Sequence, residues 1–135
     1  MYSILYASEV SHSLSEAEIN HILDKARARN VQEGVTGILL HKEGRFLQYI
    51  EGPKAALARV YQTIEADHKH KNLKVIFSRP VVSRLFPEWS MAYQSKDIEI
   101  YSDENVYFSL LYPALTTNGR DGATVKEALN QFWQS

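Results

Sequence analysis

Tyr2, Ile4 and Tyr6 alternate with Ser3, Leu5 and Ala7, and this period of two predicts a first strand over residues 2–7. A helix start follows. Ser15-Glu16-Ala17-Glu18 forms a capping box, and Leu14 can staple against Ile19 across it. Ile19, Ile22, Leu23 and Ala26 then recur at the i, i+3, i+4, i+7 spacing of a helix packed on a core. Asn30 falls about three turns of ~3.6 residues beyond Ile19, almost on the same stripe. Residues 35–41 and 45–51 read as strands joined by Lys42-Glu43-Gly44, with Gly34-Val35-Thr36-Gly37 as the turn leading in. Gly52-Pro53 opens a second helix striped by Leu57, Val60, Tyr61 and Ile64. The charged run Asp67-His68-Lys69-His70-Lys71 ends it. Residues 73–82 are β-branched and apolar, a fourth strand whose Pro80 points to a sheet edge or a bend at its end. Trp89, Met91 and Tyr93 alternate with Ser90 and Ala92 in a short fifth strand. Beyond Gln94 an acidic loop leads to a helix over 105–115 stopped near Pro113, a Gly-containing connection over 116–122, and a last helix over 124–133 capped by Thr124.

The order β-α-β-β-α-β-β followed by two helices predicts a ferredoxin-like α/β (α+β) core, with a five-stranded mixed sheet and a helical C-terminal appendage. Right-handed crossovers put both long helices on one face. The expected strand order makes the first and third strands central, parallel neighbours, with Tyr6 beside Gln48 under the helices.

Composition narrows the functional classes. The chain has 135 residues, 44% hydrophobic and 23% charged, which suits one globular domain. Fifteen Lys and Arg stand against 16 Asp and Glu, a formal charge of −1 with no long basic run, which argues against nucleic acid or an anionic membrane as the main partner. With no Cys there is no disulfide, thiolate metal site or cysteine nucleophile. No apolar run approaches the roughly 18 residues of a membrane helix, and the opening Met1-Tyr2-Ser3-Ile4 carries no leader pattern, so a cytoplasmic location is expected.

Polar residues stand where the pattern asks for apolar ones. Gln48 shares a strand face with Phe46 and Ile50, and a buried amide left unbonded costs about 1–3 kcal/mol per orphaned group. Tyr6 shares a face with Ile4, and Asn30 ends an apolar helix stripe. Singly these read as a satisfied core Gln, a core Tyr with its hydroxyl at the rim, and a helix C-cap. Jointly, phenol and amides facing one space suit a neutral heteroaromatic ligand with carbonyls and ring nitrogens, and suit hydrolysis poorly. His68-Lys69-His70 supplies two histidines flanked by repelling lysines, a solvated loop rather than a metal site. His12, His21 and His41 pair with no nucleophile.

At these residues the sequence resembles the BLUF family, blue-light sensors that use flavin. The resemblance covers about Tyr2 to Tyr93 through pieces in register. They are Leu5-Tyr6-Ala7-Ser8, Ala26-Arg27-Ala28-Arg29-Asn30 leading to Val35-Thr36-Gly37-Ile38-Leu39-Leu40, Gly44-Arg45-Phe46-Leu47-Gln48-Tyr49-Ile50-Glu51-Gly52-Pro53, Asp67-His68-Lys69-His70, and Arg84-Leu85-Phe86-Pro87-Glu88-Trp89-Ser90-Met91. It implies photoactive Tyr6 and Gln48, a switch pair at Trp89 and Met91, and a flavin carbonyl bound by Asn30. Ile22 and Ile64 would sandwich the ring, with Phe46, Asp67 and His70 at its edges. Arg29 stands where the family often has a second Asn, and Thr63 where it often has a basic residue.

The implied activity is non-enzymatic. Excitation of FAD, with FMN as the alternative, drives electron and proton loss from Tyr6 and rearrangement of Gln48. The absorption moves to the red, and the fifth strand and C-terminal helices carry the signal. Residues 1–96 form the sensor and 97–135 a helical extension. The implied partners are flavin, an unidentified downstream signalling protein and a second copy of the chain. Two other readings compete: a flavin-free interaction domain, and a small acylphosphatase-like hydrolase that would use Arg45 or Arg84 for its anion.

Overall fold

A computed structural model describes residues 1–67, 69–87, 90–95 and 119–134. The strands are β1 (Tyr2–Val10), β2 (Thr36–Lys42), β3 (Arg45–Gly52), β4 (His70–Pro80) and β5 (Ala92–Ser95), and the helices α1 (Glu16–Glu33), α2 (Lys54–Glu65) and α3 (Gly119–Gln134). They form a single mixed sheet of five strands in the order β4-β1-β3-β2-β5. This is the ferredoxin-like α+β arrangement expected, with one correction. β1 and β3 are central neighbours but antiparallel. The crossover through α1 makes β2 run with β1, and the β2–β3 hairpin then reverses the chain, so β3 must oppose β1. Among the described strands only the β2–β5 pair is parallel. Tyr6 lies directly across from Gln48 in the β1–β3 register.

Local signals explain most boundaries. Ser15 accepts the Glu18 N–H while the Glu18 carboxylate accepts from the Ser15 N–H, so the capping box is formed. Asn30 is not the C-cap; α1 runs one turn further and ends at Gly34, whose φ of 70° takes the left-handed conformation that glycine adopts without steric cost. Glu43 and Gly44, at φ 54° and 71°, make a two-residue hairpin turn in which Lys42 already pairs with Arg45. The charged run is not all loop: His70 and Lys71 belong to β4, because an edge strand accepts charged residues on its open side. The β1–β4 register slips between Leu5 and Tyr6 and again between Ala7 and Glu9, and such bulges re-aim side chains. β5 starts at Ala92 instead of Trp89. Trp89 itself, and the helix expected over 105–115, lie outside the described residues. α3 begins at Gly119, so Thr124 sits within the helix and does not cap it.

Alternation divides the sheet into two faces. Ile4, Tyr6, Leu39, Phe46 and Ile50 face α1 and α2, packing on Ile19, Leu23, Leu57, Val60 and Ile64. Leu5, Ile38, Leu40, Leu47 and Tyr49 face the other way, onto Leu85, Phe86 and the Val125, Leu129 and Trp133 stripe of α3. Lys42 at the end of β2 donates to the Trp133 and Phe132 carbonyls at 2.9 and 3.5 Å, a cation placed on the negative end of α3.

Candidate functional site

Between α1, α2 and the inner sheet face lies a cavity of about 760 Å³, within the range of sites that hold a drug-sized ligand. Ile22, Ala26 and Arg29 line it from α1, and Ile64 with Gln62, Thr63 and Arg59 from α2. Leu39, Phe46 and Gln48 form its floor, while Asp67, His70 and Met91 close its ends. The expected pair Ile22 and Ile64 therefore stands on facing walls, and Phe46, Gln48, Asp67, His70 and Met91 all reach the same space.

Tyr6 is set back from the wall. It is fully buried, stacked on Tyr61 of α2 at 5.7 Å between ring centroids. Its hydroxyl is buried without a hydrogen-bond partner among the described residues. Burial pushes the phenol far above its ordinary pKa of 10; the Arg29 cation pulls against this, and Tyr61 and Asp67 add to it. Tyr6 is thus held protonated, with a donor that no acceptor among the described residues receives.

Gln48, opposite it, donates from Nε2 to Met91 Sδ at 3.6 Å, a soft contact for an amide. Asn30 is not on the cavity wall. Its Nδ2 donates to the Ser90 carbonyl at 2.6 Å and its Oδ1 receives Arg29 Nε at 3.4 Å. It borders a smaller neighbouring cavity of about 440 Å³ with Arg84, Pro87 and Ser90.

His70 accepts or donates at Nδ1 to Ser8 Oγ at 3.0 Å and packs edge-on against Phe46. Burial pushes its pKa below the ordinary value; Asp67 raises it, and Arg29 and Lys69 lower it further. Burial likewise lowers Arg29, which Tyr6 and Asp67 partly restore.

The cations of the cavity are what the sequence reading missed. Among its described lining residues, Lys25, Arg29, Arg59 and Lys69 stand with the carboxylate of Asp67. The signal was present for Arg29, seven residues beyond Ile22 on one helix face. Arg59 is one turn before Thr63 and receives its hydroxyl on the main-chain carbonyl, while its guanidinium pairs with Glu33 at 2.8 Å. The arginines offered for an anion site are otherwise engaged. Arg84 donates to Thr36 Oγ1, the Gly34 carbonyl and the Glu51 carbonyl. Arg45 reaches Glu43 at 3.4 Å and covers the Phe132 ring. No helix among the described residues is long and apolar enough to cross a membrane.

The sequence profile described as sensors of blue light using FAD matches residues 1–92. The chain belongs to the BLUF family. It is a sensor family, not a catalytic one, and this BLUF chain is a blue-light-sensing flavin domain. It is 31% identical over 97 residues to the photoactivated adenylate cyclase subunit beta of Euglena gracilis, covering 71% of this chain and 11% of that protein. The chain therefore spans about a tenth of the length of that relative. The dark-state structure of the BLUF protein BlrB superposes with a TM-score of 0.69 at 29% identity, over 93% of this chain and 96% of that one. BlrP1 of Klebsiella pneumoniae, with FMN and cyclic diGMP, shares the fold at a TM-score of 0.75 and 20% identity, over 93% and 33% of the two chains.

The cavity fits a flavin on this structure's own terms. An apolar slot between Ile22 and Ile64 suits a planar ring, and the loosely engaged Gln48 amide on the wall supplies hydrogen bonding that ring carbonyls and nitrogens need, with the Tyr6 hydroxyl behind it.

Proposed function

We propose that this chain senses blue light through Tyr6 and Gln48 and reports through Met91. When bound in the cavity, flavin would supply an excited ring that is a strong one-electron oxidant. Tyr6 is the electron donor, and its proton leaves through the facing Gln48 amide. Gln48 is the switch, because its amide has a donor side and an acceptor side and reversing it changes no net charge. Reversal replaces the N–H pointing at Met91 Sδ with a carbonyl oxygen, which turns a weak attraction into a repulsion. Met91 is therefore the first output, and β5 the second. The observation that carries the reading is the buried, unpartnered Tyr6 hydroxyl opposite an amide that holds Met91 by one soft contact.

The finer assignments follow. FAD is the proposed cofactor, with Ile22, Phe46, Ile64, Asp67 and His70 around the ring. Asn30 binds a carbonyl only if flavin draws its amide away from Ser90. Residues 1–96 form the sensor, and 97–135 an extension whose α3 covers the outer sheet face. The recipient of the signal is a separate protein or a second copy of the chain.

The test is an absorption spectrum of the purified protein, dark-adapted and then under blue light, with the extracted flavin identified by mass. A flavin spectrum that shifts to the red and recovers in darkness is expected. Tyr6→Phe and Gln48→Ala are expected to bind flavin and lose the shift. A full reversible shift in either variant would overturn the mechanism.

A further inference from the structure

Three donors converge on the two residues that precede β5. Asn30 Nδ2 donates to the Ser90 carbonyl at 2.6 Å, Arg27 Nε to the Met91 carbonyl at 3.0 Å, and Gln48 Nε2 to Met91 Sδ at 3.6 Å. Arg27 and Asn30 are three residues apart on α1, so they present to one side of the helix. Upstream, the Leu85 and Phe86 N–H groups are held at 2.9 and 2.7 Å by the carboxylate of Glu51, itself fully buried in β3. Leu85 and Phe86 are thus held by a buried carboxylate of β3, and Ser90 and Met91 by side chains of α1 and β3.

The three donors differ in what they can respond to. Gln48 faces the cavity. Asn30 is buried and spends both ends of its amide within the chain. Arg27 is an exposed helix residue, and its bond reaches the Met91 backbone and not its side chain. A charged donor makes a stronger bond than a neutral amide makes to a thioether sulfur.

We propose that Arg27 is a positioning residue of the switch, a latch that holds the Met91 backbone on α1 while Gln48 lets go of the Met91 side chain. The latch opposes detachment of β5. It keeps Met91 within reach of Gln48, so that the original arrangement is restored once the amide turns back. The position of β5 is then set jointly from the cavity side and from the solvent side of α1. By linkage, whatever releases one donor weakens the hold of the other.

The proposal rests on the reading of Gln48 and Met91 as the switch, but its deciding measurement does not. Hydrogen exchange at the β5 amides of the full chain, read in darkness by mass spectrometry, reports opening of the segment directly. Arg27→Met keeps helix propensity and an unbranched stem while removing the donor. Exchange of β5 is expected to rise about tenfold in Arg27→Met, with flavin affinity within about twofold of wild type; ~1.4 kcal/mol of latch produces that tenfold and lowers the melting temperature by only about 3–6 °C. Arg27→Lys, which still offers a cationic donor, is expected to recover most of the protection. In the flavin-loaded protein the red-shifted form of Arg27→Met is expected to persist several-fold longer. β5 exchange equal to wild type in Arg27→Met would overturn the latch, as would a gain in exchange spread evenly over α1 and the sheet. A wild-type protein that shows no light-induced shift would instead sink the photoreceptor mechanism, and the exchange result would still decide the latch.

Discussion

The two faces of the central strands carry similar polar residues and treat them in opposite ways. On the outer face Glu51 is buried, yet its Oε1 receives the Leu85 N–H and the Tyr49 hydroxyl, and its Oε2 the Phe86 N–H and, at 3.5 Å, Thr36 Oγ1. Burial pushes this carboxyl up, and the Leu85 and Phe86 N–H groups, the Tyr49 hydroxyl and the Arg84 cation pull it back. On the inner face Tyr6 is buried with its hydroxyl unpartnered, and Gln48 engages a sulfur. The two carboxamide and carboxylate positions are three residues apart on β3, so strand alternation alone sends them to opposite sides. The outer groups are bound to main-chain amides that have nowhere to go; the inner ones are left for a ligand. A frame fixed on one face lets the other rearrange without unfolding the sheet. Departures from local satisfaction collect where function is.

The comparison breaks most directly at α3. Trp133 is among the largest fully buried side chains and sits on Leu129 and the outer sheet residues. Trp133→Ala is expected to cost about 3–5 kcal/mol by the cavity it leaves. Urea unfolding measures this, and a loss below about 1 kcal/mol would mean that the outer face is no frame. A smaller and sharper effect is expected at Glu51. In Glu51→Gln any orientation of the amide turns its NH2 toward a backbone N–H, so one buried donor loses its acceptor, at about 1–3 kcal/mol. The same substitution should loosen the 85–91 segment, raising exchange at Leu85 and Phe86 first. Unchanged protection at those two amides would show that Glu51 does not anchor the turn.

How far each face was legible in the sequence differs for a physical reason. Period-two alternation and the helix stripes turn Tyr6, Gln48 and Asn30 toward one space, and the family resemblance adds Ile22 and Ile64; the cavity is lined by Ile22, Gln48 and Ile64 with Tyr6 behind it, while Asn30 stands off its wall. The capping box at Ser15 likewise reads directly from residue types, because its partners are three positions apart. Strand direction does not read that way. The parallel placement of β1 beside β3 fails because strand order does not carry direction, which the β2–β3 hairpin sets by reversing the chain. Glu51 passed unnoticed because alternation marks it as facing away from Gln48 without saying that the 85–86 turn would come to cover it. Arg27 is invisible to periodicity altogether: it lies on an exposed flank of α1, and its partner is a carbonyl 64 residues away. Asn30 was legible as a buried polar group but not as one whose amide is already spent on Ser90 and Arg29.

The smallest expected effect tests whether the inner face is poised in its electrostatics as well as in its hydrogen bonding. His70 faces Ser8, Phe46, Asp67, Arg29 and Lys69, and burial holds its pKa below the ordinary 6.5. The folded chain therefore resists a proton that the unfolded chain accepts near pH 6.5. The stability this group contributes is fully present above that pH. It is lost as the pH falls through 6.5 toward the depressed native value, where a second cation must be placed beside Arg29. The urea midpoint of the wild type is expected to fall between pH 7.5 and 5.5 by more than that of His70→Gln, which can still hydrogen-bond Ser8 but cannot take up the proton. The two proteins differ only at residue 70, so the difference between the two slopes isolates His70. Equal slopes would mean that its imidazole is as free to charge in the fold as outside it, and that the inner face differs from the outer in its hydrogen bonds alone.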